Sequence, residues 1–123
     1  MSGPSEDPRE LAYTVVALDG EYDLFRAREV RDELYAALDE ELPVVVDLSG
    51  ATFIDTVTLG ILLEAVRRSR RSQRELLIYL PDSAAAQVRN LFQVTGFADA
   101  LPVVRERRTG TTARRLRPRR ARR

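Results

Sequence analysis

Short apolar runs alternate along the chain with stretches whose apolar residues follow helical spacing. Residues 13–18 form a β-branched, apolar run that ends at the turn signal Asp19-Gly20, and they predict a strand. Apolar residues then recur at helical spacing over residues 24–38, with Arg and Glu on the opposite face, which predicts an amphipathic helix. The continuous valine run within residues 44–48 is typical of a central strand that is covered on both faces.

The same alternation continues after a brief apolar segment at residues 53–54. Asp55 is placed to cap a second helix, because its carboxylate can accept the N–H groups of the first turn. Residues 76–80 predict another strand, Asp82 or Ser83 is expected to cap a third helix, and Gly96 is expected to end that helix. The stripe expected to be buried on the second helix consists of Leu59, Leu62, Leu63 and Val66.

This order of elements predicts one α/β domain. Strands that alternate with helices favour a largely parallel sheet, because each helix returns the chain across the sheet. We therefore expect a mixed, mostly parallel sheet of four or five strands with helices over residues 11–104. The polar residues 1–10 predict a flexible N-terminus, and the Arg-rich residues 105–123 predict a disordered tail.

The composition narrows the chemistry that the chain can perform. It contains no Cys, His or Lys, which excludes disulfides, thiolate nucleophiles, imidazole bases, Schiff-base lysines and a P-loop lysine. Neither a Gly-rich phosphate loop nor a matched pair of carboxylates is visible, so we expect no catalytic residue, metal or cofactor. No apolar run reaches the about 20 residues of a membrane span. Because the polar N-terminus also lacks a signal-peptide layout, the expected location is cytoplasmic.

Charge separates the tail from the body. Residues 1–104 carry 10 Arg and 18 acidic residues, a net charge of −8, whereas residues 105–123 carry 10 Arg and one acidic residue, a net charge of +9. Such a tail can bind the phosphates of nucleic acid or of an anionic lipid surface. It has no aromatic residue for base stacking. We favour the alternative, a disordered, low-complexity extension, which can also fold back on the acidic body.

Three motifs follow one another in an order that is typical of a known family. Residues 44–60 combine a buried strand that ends in Asp-Leu-Ser, an apolar pair, and the sequence Asp-Thr-Val-Thr-Leu-Gly at the start of a helix. Residues 20–24, Gly-Glu-Tyr-Asp-Leu, follow the first strand, and residues 88–97 end in Gly-Phe. Over roughly residues 13–104 the chain resembles STAS domains and, by its size, the bacterial anti-sigma factor antagonists.

The resemblance implies a non-catalytic, protein-binding regulator of transcription. In that family the N-terminus of the helix docks on an anti-sigma factor, often one with a histidine-kinase-like ATPase fold, and a sigma factor is released. The contact residues that the resemblance assigns are Asp23, Asp55, Thr56, Val57, Thr58, Leu59 and Gly60. The alternative is a structural STAS subunit of a larger sensory or lipid-transport assembly. The sequence leaves open whether the chain forms a homodimer.

The chain departs from the family at the phosphoacceptor. In the family the partner phosphorylates the second Ser of an Asp-Ser-Ser motif, and the added charge of about −1.5 to −2 opposes docking. The aligned residue is Val57, which has no hydroxyl, and the neighbouring Thr56 and Thr58 are candidate phosphorylation sites. Three interpretations stay open: a constitutive binder, a chain phosphorylated at either Thr, and a scaffold outside sigma-factor control. We favour the first or the third.

A phosphoaspartate receiver is a further alternative. It would use residues 44–47 as its acceptor strand, but it needs a second acid beside Asp19 and a Lys late in the chain, and both are missing. For single residues a structural role competes with a functional one. Asp55 can be an N-cap only, Asp47 can bond loop amides only, and Asp23 can be a turn residue only.

Overall fold

Five strands paired in parallel form the main sheet of the structure, a computed structural model that describes residues 13–106 and, for residues 112–116, the backbone alone. In chain order the strands are β1 (Thr14–Leu18), β2 (Gly20–Tyr22), β3 (Val44–Asp47), β4 (Ala51–Ile54), β5 (Leu76–Tyr79), β6 (Val103–Val104) and β7 (Thr112–Leu116). The main sheet has the order β6-β5-β3-β1-β7, and β2 and β4 form a separate two-stranded parallel sheet.

Four helices connect these strands. They are α1 (Ala27–Leu38), preceded by a single 3-10 turn at Leu24–Arg26, α2 (Thr56–Arg71), α3 (Ala86–Val94) and α4 (Phe97–Ala100). Alternate residues of the central strands, such as Val44 and Val46, share one core with the apolar stripes of the helices, such as Leu34 and Leu62. The period of two in the strands and of 3.6 in the helices therefore builds a single core on one face of the sheet.

The structure confirms the predicted α/β class and most of the predicted elements. Asp55 caps α2, and Gly96 follows α3 in the left-handed conformation with φ +77°. The predicted cap of α3 is wrong, because the N–H of Ala84 closes a turn onto the carbonyl of Pro81 and delays the helix until Ala86. Of the predicted buried stripe on α2, Leu63 is only half-buried.

A non-glycine residue occupies the left-handed position at the end of α2. The N–H of Arg74 donates to the carbonyl of Ser69 at 2.8 Å, and the N–H of Gln73 donates to the carbonyl of Arg70 at 3.2 Å. These two bonds form a Schellman motif, whose left-handed residue is most often Gly. Here that residue is Gln73, with φ +56°.

Part of the tail takes part in the main sheet. Residues 112–116, within the segment that the sequence predicts to be disordered, form β7 in parallel register with β1, from Thr14 opposite Thr112 to Leu18 opposite Leu116. An edge strand has backbone groups that a further strand can satisfy, which accounts for this pairing. The predicted flexible residues 1–10 and the tail residues 107–111 and 117–123 lie outside the described residues.

Candidate functional site

The small sheet of β2 and β4 brings two aspartates to the same edge. Tyr22 at the end of β2 is in register with Ile54 at the end of β4, and the two strands are parallel. The next residues, Asp23 and Asp55, therefore leave the sheet side by side. Each of them begins a helical segment, Asp23 the 3-10 turn and Asp55 the helix α2. Two of the motifs found in the sequence thus meet in space.

Both aspartates act as N-caps. Oδ1 of Asp23 accepts the N–H of Phe25 at 3.0 Å, and Oδ1 of Asp55 accepts the N–H of Thr58 at 2.9 Å. A cap of this kind stabilises a helix start by about 1 kcal/mol. The two carboxylates therefore fix the conformation of the segments that follow them, whatever else they contact.

Tyr22 links the two segments. Its carbonyl accepts the N–H of Asp55 and the hydroxyl of Thr58, both at 3.2 Å. Its ring is fully buried, its phenol oxygen accepts the N–H of Asp19 at 3.1 Å, and the Arg26 guanidinium lies 4.4 Å from the ring centroid. Burial raises the pKa of the Tyr22 phenol above its ordinary value, and the charge of Arg26 opposes that rise. The phenol is therefore neutral at pH 7.

Exposed apolar side chains lie next to Asp23 and Asp55 at this edge of the small sheet. Phe25 is 86% exposed, Leu24 is 59% exposed and Val57 is 44% exposed. Among the described residues, Val94 on α3 is the other large apolar side chain with comparable exposure, at 79%. We use the name α2-entry surface for the exposed or half-buried residues at this edge, which are Asp23, Leu24, Phe25, Asp55, Thr56, Val57 and Gly60.

Gly60 leaves an opening on the same face of α2 as Val57, one turn further along the helix. A Cβ placed on Gly60 would meet no heavy atom within 4 Å. By contrast, a Cβ on Gly50 would collide with the carboxylate of Asp19. A glycine inside a helix costs about 1 kcal/mol relative to alanine. Within the described residues, nothing in the packing requires a glycine at position 60.

Two of the predicted contact residues, Thr58 and Leu59, are buried in the structure. Thr58 is 0% exposed and Leu59 is 2% exposed, because the helix turns both side chains into the core. They pack beneath the α2-entry surface, on the side of the helix that faces the core, and are not exposed on it. The hydroxyl of Thr58 already donates to the carbonyl of Tyr22, so a kinase reaches Thr58 only if the start of the helix opens. Thr56 and Val57 are exposed.

The structure adds residues that the sequence reasoning did not single out. Leu24 and Phe25 are the most exposed apolar residues of the surface, and their signal in the sequence was an apolar pair directly after Asp23. Gln87 on α3 bonds the backbone of Ile54 through both the oxygen and the nitrogen of its side-chain amide. No local sequence signal points to Gln87, because its partner lies 33 residues away.

Other candidate chemistry receives a structural explanation. Oδ1 of Asp47 accepts the N–H and the hydroxyl of Ser49, at 2.9 and 2.7 Å, and so shapes the loop after β3. In the part of the chain that the structure describes, no three acidic residues are placed to hold a metal ion. None of the described helices combines the length and the apolar character of a membrane span.

Comparison with known proteins places the chain in a family. The family model described as "Mlab, STAS domain" matches residues 6–105. The anti-sigma-B factor antagonist of Listeria monocytogenes is 24% identical over 96 residues, which cover 77% of this chain and 82% of that protein. The Bacillus cell fate determinant SpoIIAA in its phosphorylated form has a TM-score of 0.57 at 20% identity, over 76% of this chain and 83% of its own.

A protein of a transporter family shares the same fold. A sulfate transporter family protein from Wolinella succinogenes also has a TM-score of 0.57 at 20% identity, over 74% of this chain and 75% of its own. The likeness to these two structures carries the fold alone. The family model spans both the small sheet and the main sheet up to β6, and with it the α2-entry surface. The chain belongs to the STAS domain family.

Proposed function

We propose that this protein is a non-catalytic cytoplasmic regulator that binds an anti-sigma factor through the α2-entry surface. The observation that carries the proposal is the exposure of Leu24, Phe25 and Val57 around the capped start of α2. Clustered exposed apolar residues mark protein interaction sites. The curated relatives named as anti-sigma-B factor antagonists support the class of partner.

The charge around the apolar centre narrows the chemistry of the partner. Glu21 and Asp23 are exposed beside Leu24 and Phe25, and Asp55 is half-buried beside Val57. A complementary partner surface therefore presents apolar groups at its centre and Arg or Lys at its rim. We propose that the partner is an anti-sigma factor of the histidine-kinase-like ATPase type.

Gly60 favours a partner that packs directly on the backbone of α2. The position is exposed and open, and yet it carries the residue that is least favourable inside a helix, apart from Pro. Contact between the helix backbone and a partner explains this choice, because any Cβ would hold the two surfaces apart. Val57 and Gly60 would then form one continuous strip of contact.

We propose further that binding is constitutive. Val57 stands where the family carries its phosphoacceptor and has no hydroxyl, and the hydroxyl of Thr58 is buried. Thr56 is the remaining hydroxyl in the first turn of α2, and it is directed elsewhere because successive helical residues are rotated by about 100°. A partner with kinase activity would therefore not switch off this interaction at position 57.

Isothermal titration calorimetry with purified anti-sigma factors of the same cell tests the proposal. The double variant Leu24→Ser/Phe25→Ser should lose binding, and Val94→Ser, which removes an equally exposed apolar residue from α3, should retain it. Far-UV circular dichroism establishes that both variants are folded. No binding by the wild type, or equal binding by the double variant, would contradict the proposal.

A structural STAS subunit of a transport or sensory assembly is the second candidate. It is supported by the family description, which names Mlab, and by the fold shared with a protein of a transporter family. In the same experiment this candidate predicts no affinity for anti-sigma factors. It predicts stable binding to a purified transporter component.

A further inference from the structure

The backbone of Ile54 is held by a side chain from α3. The N–H of Ile54 donates to Oε1 of Gln87 at 3.0 Å, and Nε2 of Gln87 donates to the carbonyl of Ile54 at 2.8 Å. In a parallel strand the N–H and the carbonyl of one residue point to the same side. The amide of Gln87 therefore takes the place that a neighbouring strand would have beside β4.

The junction between β4 and α2 is fixed from two directions as a result. Gln87 holds Ile54 from the side of α3, and the carbonyl of Tyr22 holds the N–H of Asp55 from the side of β2. Asp55 is the N-cap of α2, so the direction in which the helix starts depends on this junction. Val57 and Gly60 are carried on that first part of the helix.

We propose that Gln87 is a positioning residue for the α2-entry surface. It keeps the start of α2 in the binding-competent arrangement before the partner arrives. Binding therefore does not have to order this segment, which would weaken the affinity. Without the two hydrogen bonds from Gln87 to Ile54, only a fraction of the molecules has the competent arrangement. The apparent Kd is then the intrinsic Kd divided by that fraction. This inference rests on the proposed function.

Three variants separate positioning from general stability. Gln87→Ala removes both hydrogen bonds. Gln87→Glu keeps the shape, and its protonated carboxyl group can donate to the carbonyl of Ile54 and accept its N–H, whereas the ionised form cannot donate. Gln93→Ala is the matched control, because Gln93 is exposed on the same helix. Association and dissociation rates with the anti-sigma factor are measured by surface plasmon resonance, and amide hydrogen exchange of Ile54 is measured on the isolated protein.

The expected result is a fall of about tenfold in the association rate for Gln87→Ala, with the dissociation rate changed less than twofold. Gln87→Glu should bind faster at pH 4.3 than at pH 8, relative to the wild type, because the Glu carboxyl is about half protonated at its ordinary pKa of about 4.3. Gln93→Ala should match the wild type. Unchanged association rates for both Gln87 variants would overturn the inference, and so would an unchanged exchange rate of the Ile54 amide. If Gln87→Ala does not fold, the pH dependence of the association rate of Gln87→Glu decides whether Gln87 is a positioning residue.

The two proposals fail in distinguishable ways. If the wild type binds no anti-sigma factor, the proposed function fails. In that case the exchange of the Ile54 and Thr58 amides, measured without a partner, still decides whether Gln87 orders the start of α2. Faster exchange of both amides in Gln87→Ala, but not in Gln93→Ala, supports the positioning role, and equal exchange contradicts it.

Discussion

Replacing Gly60 with Ala should make the protein more stable and its binding weaker. The added Cβ meets no atom within 4 Å, so the folded state gains no clash. The helix gains the difference in propensity between Gly and Ala, about 0.8–1.0 kcal/mol. For a domain of this size, a change of about 1 kcal/mol raises the melting temperature by about 4–8 °C.

The binding effect has the opposite sign if a partner packs on the helix backbone. An extra methyl group in a close-packed contact costs about 1–3 kcal/mol. That range corresponds to a Kd about 5- to 150-fold higher for the anti-sigma factor. Differential scanning calorimetry measures the first effect, and isothermal titration calorimetry measures the second. Few substitutions both stabilise a protein and weaken its binding. A higher melting temperature together with a higher Kd is therefore an informative result.

Asn90→Ala is the matched control. Asn90 is an exposed residue within α3, so alanine there raises helix propensity away from the α2-entry surface. This variant should be more stable and should bind as the wild type does. A Gly60→Ala variant that is more stable and keeps the wild-type Kd would refute the reasoning about close approach. A Gly60→Ala variant of lower stability would refute the description of Gly60 as open.

Four further outcomes follow from the structure. Asp55→Ala should lower the free energy of unfolding by about 1 kcal/mol in urea titrations and weaken partner binding, whereas Asp55→Asn keeps a side-chain cap and should keep the stability. Val57→Glu should leave stability unchanged and raise the Kd at least about tenfold, because a charge enters a desolvated contact; an unchanged Kd would place the interface elsewhere. Gln73→Gly should raise stability by about 0.5–1 kcal/mol, because φ +56° is unfavourable for Gln; a decrease would contradict the strain. Tyr22→Phe should cost about 1 kcal/mol at pH 7. Since the raised pKa of Tyr22 makes its contribution complete below about pH 10 and lost as the pH rises further, this variant should also show a smaller alkaline loss of stability than the wild type.

Local patterns were sufficient to predict most of the main sheet and its helices. The valine run of β3 and the β-branched run of β1 are strand signals by themselves, and Asp55 carries a capping signal that depends only on the next three residues. Parallel pairing followed from the alternation of strands and helices. The structure confirms these features, which depend either on neighbouring residues in the sequence or on the order of the elements along the chain.

The small sheet and the accessible part of the site depend on contacts between distant residues. β2 contains three residues, Gly-Glu-Tyr, and becomes a strand only because β4 pairs with it. The burial of Thr58 and Leu59 follows from the rotation at which α2 leaves Asp55, and distant residues, Tyr22 and Gln87, bond the backbone at that point. The family resemblance assigns a continuous segment to the contact, but it could not separate the exposed residues of that segment from those that face the core.

The most direct test of the central claim is a challenge of the complex with ATP. The purified protein and the proposed partner, an anti-sigma factor, are mixed with ATP and Mg²⁺, and native mass spectrometry follows the complex and the mass of each chain. We expect the complex to persist and this chain to gain no phosphate, whereas Val57→Ser, which restores a hydroxyl, should be phosphorylated and released. Addition of phosphate to the wild-type chain, at Thr56 for example, together with dissociation would contradict constitutive binding.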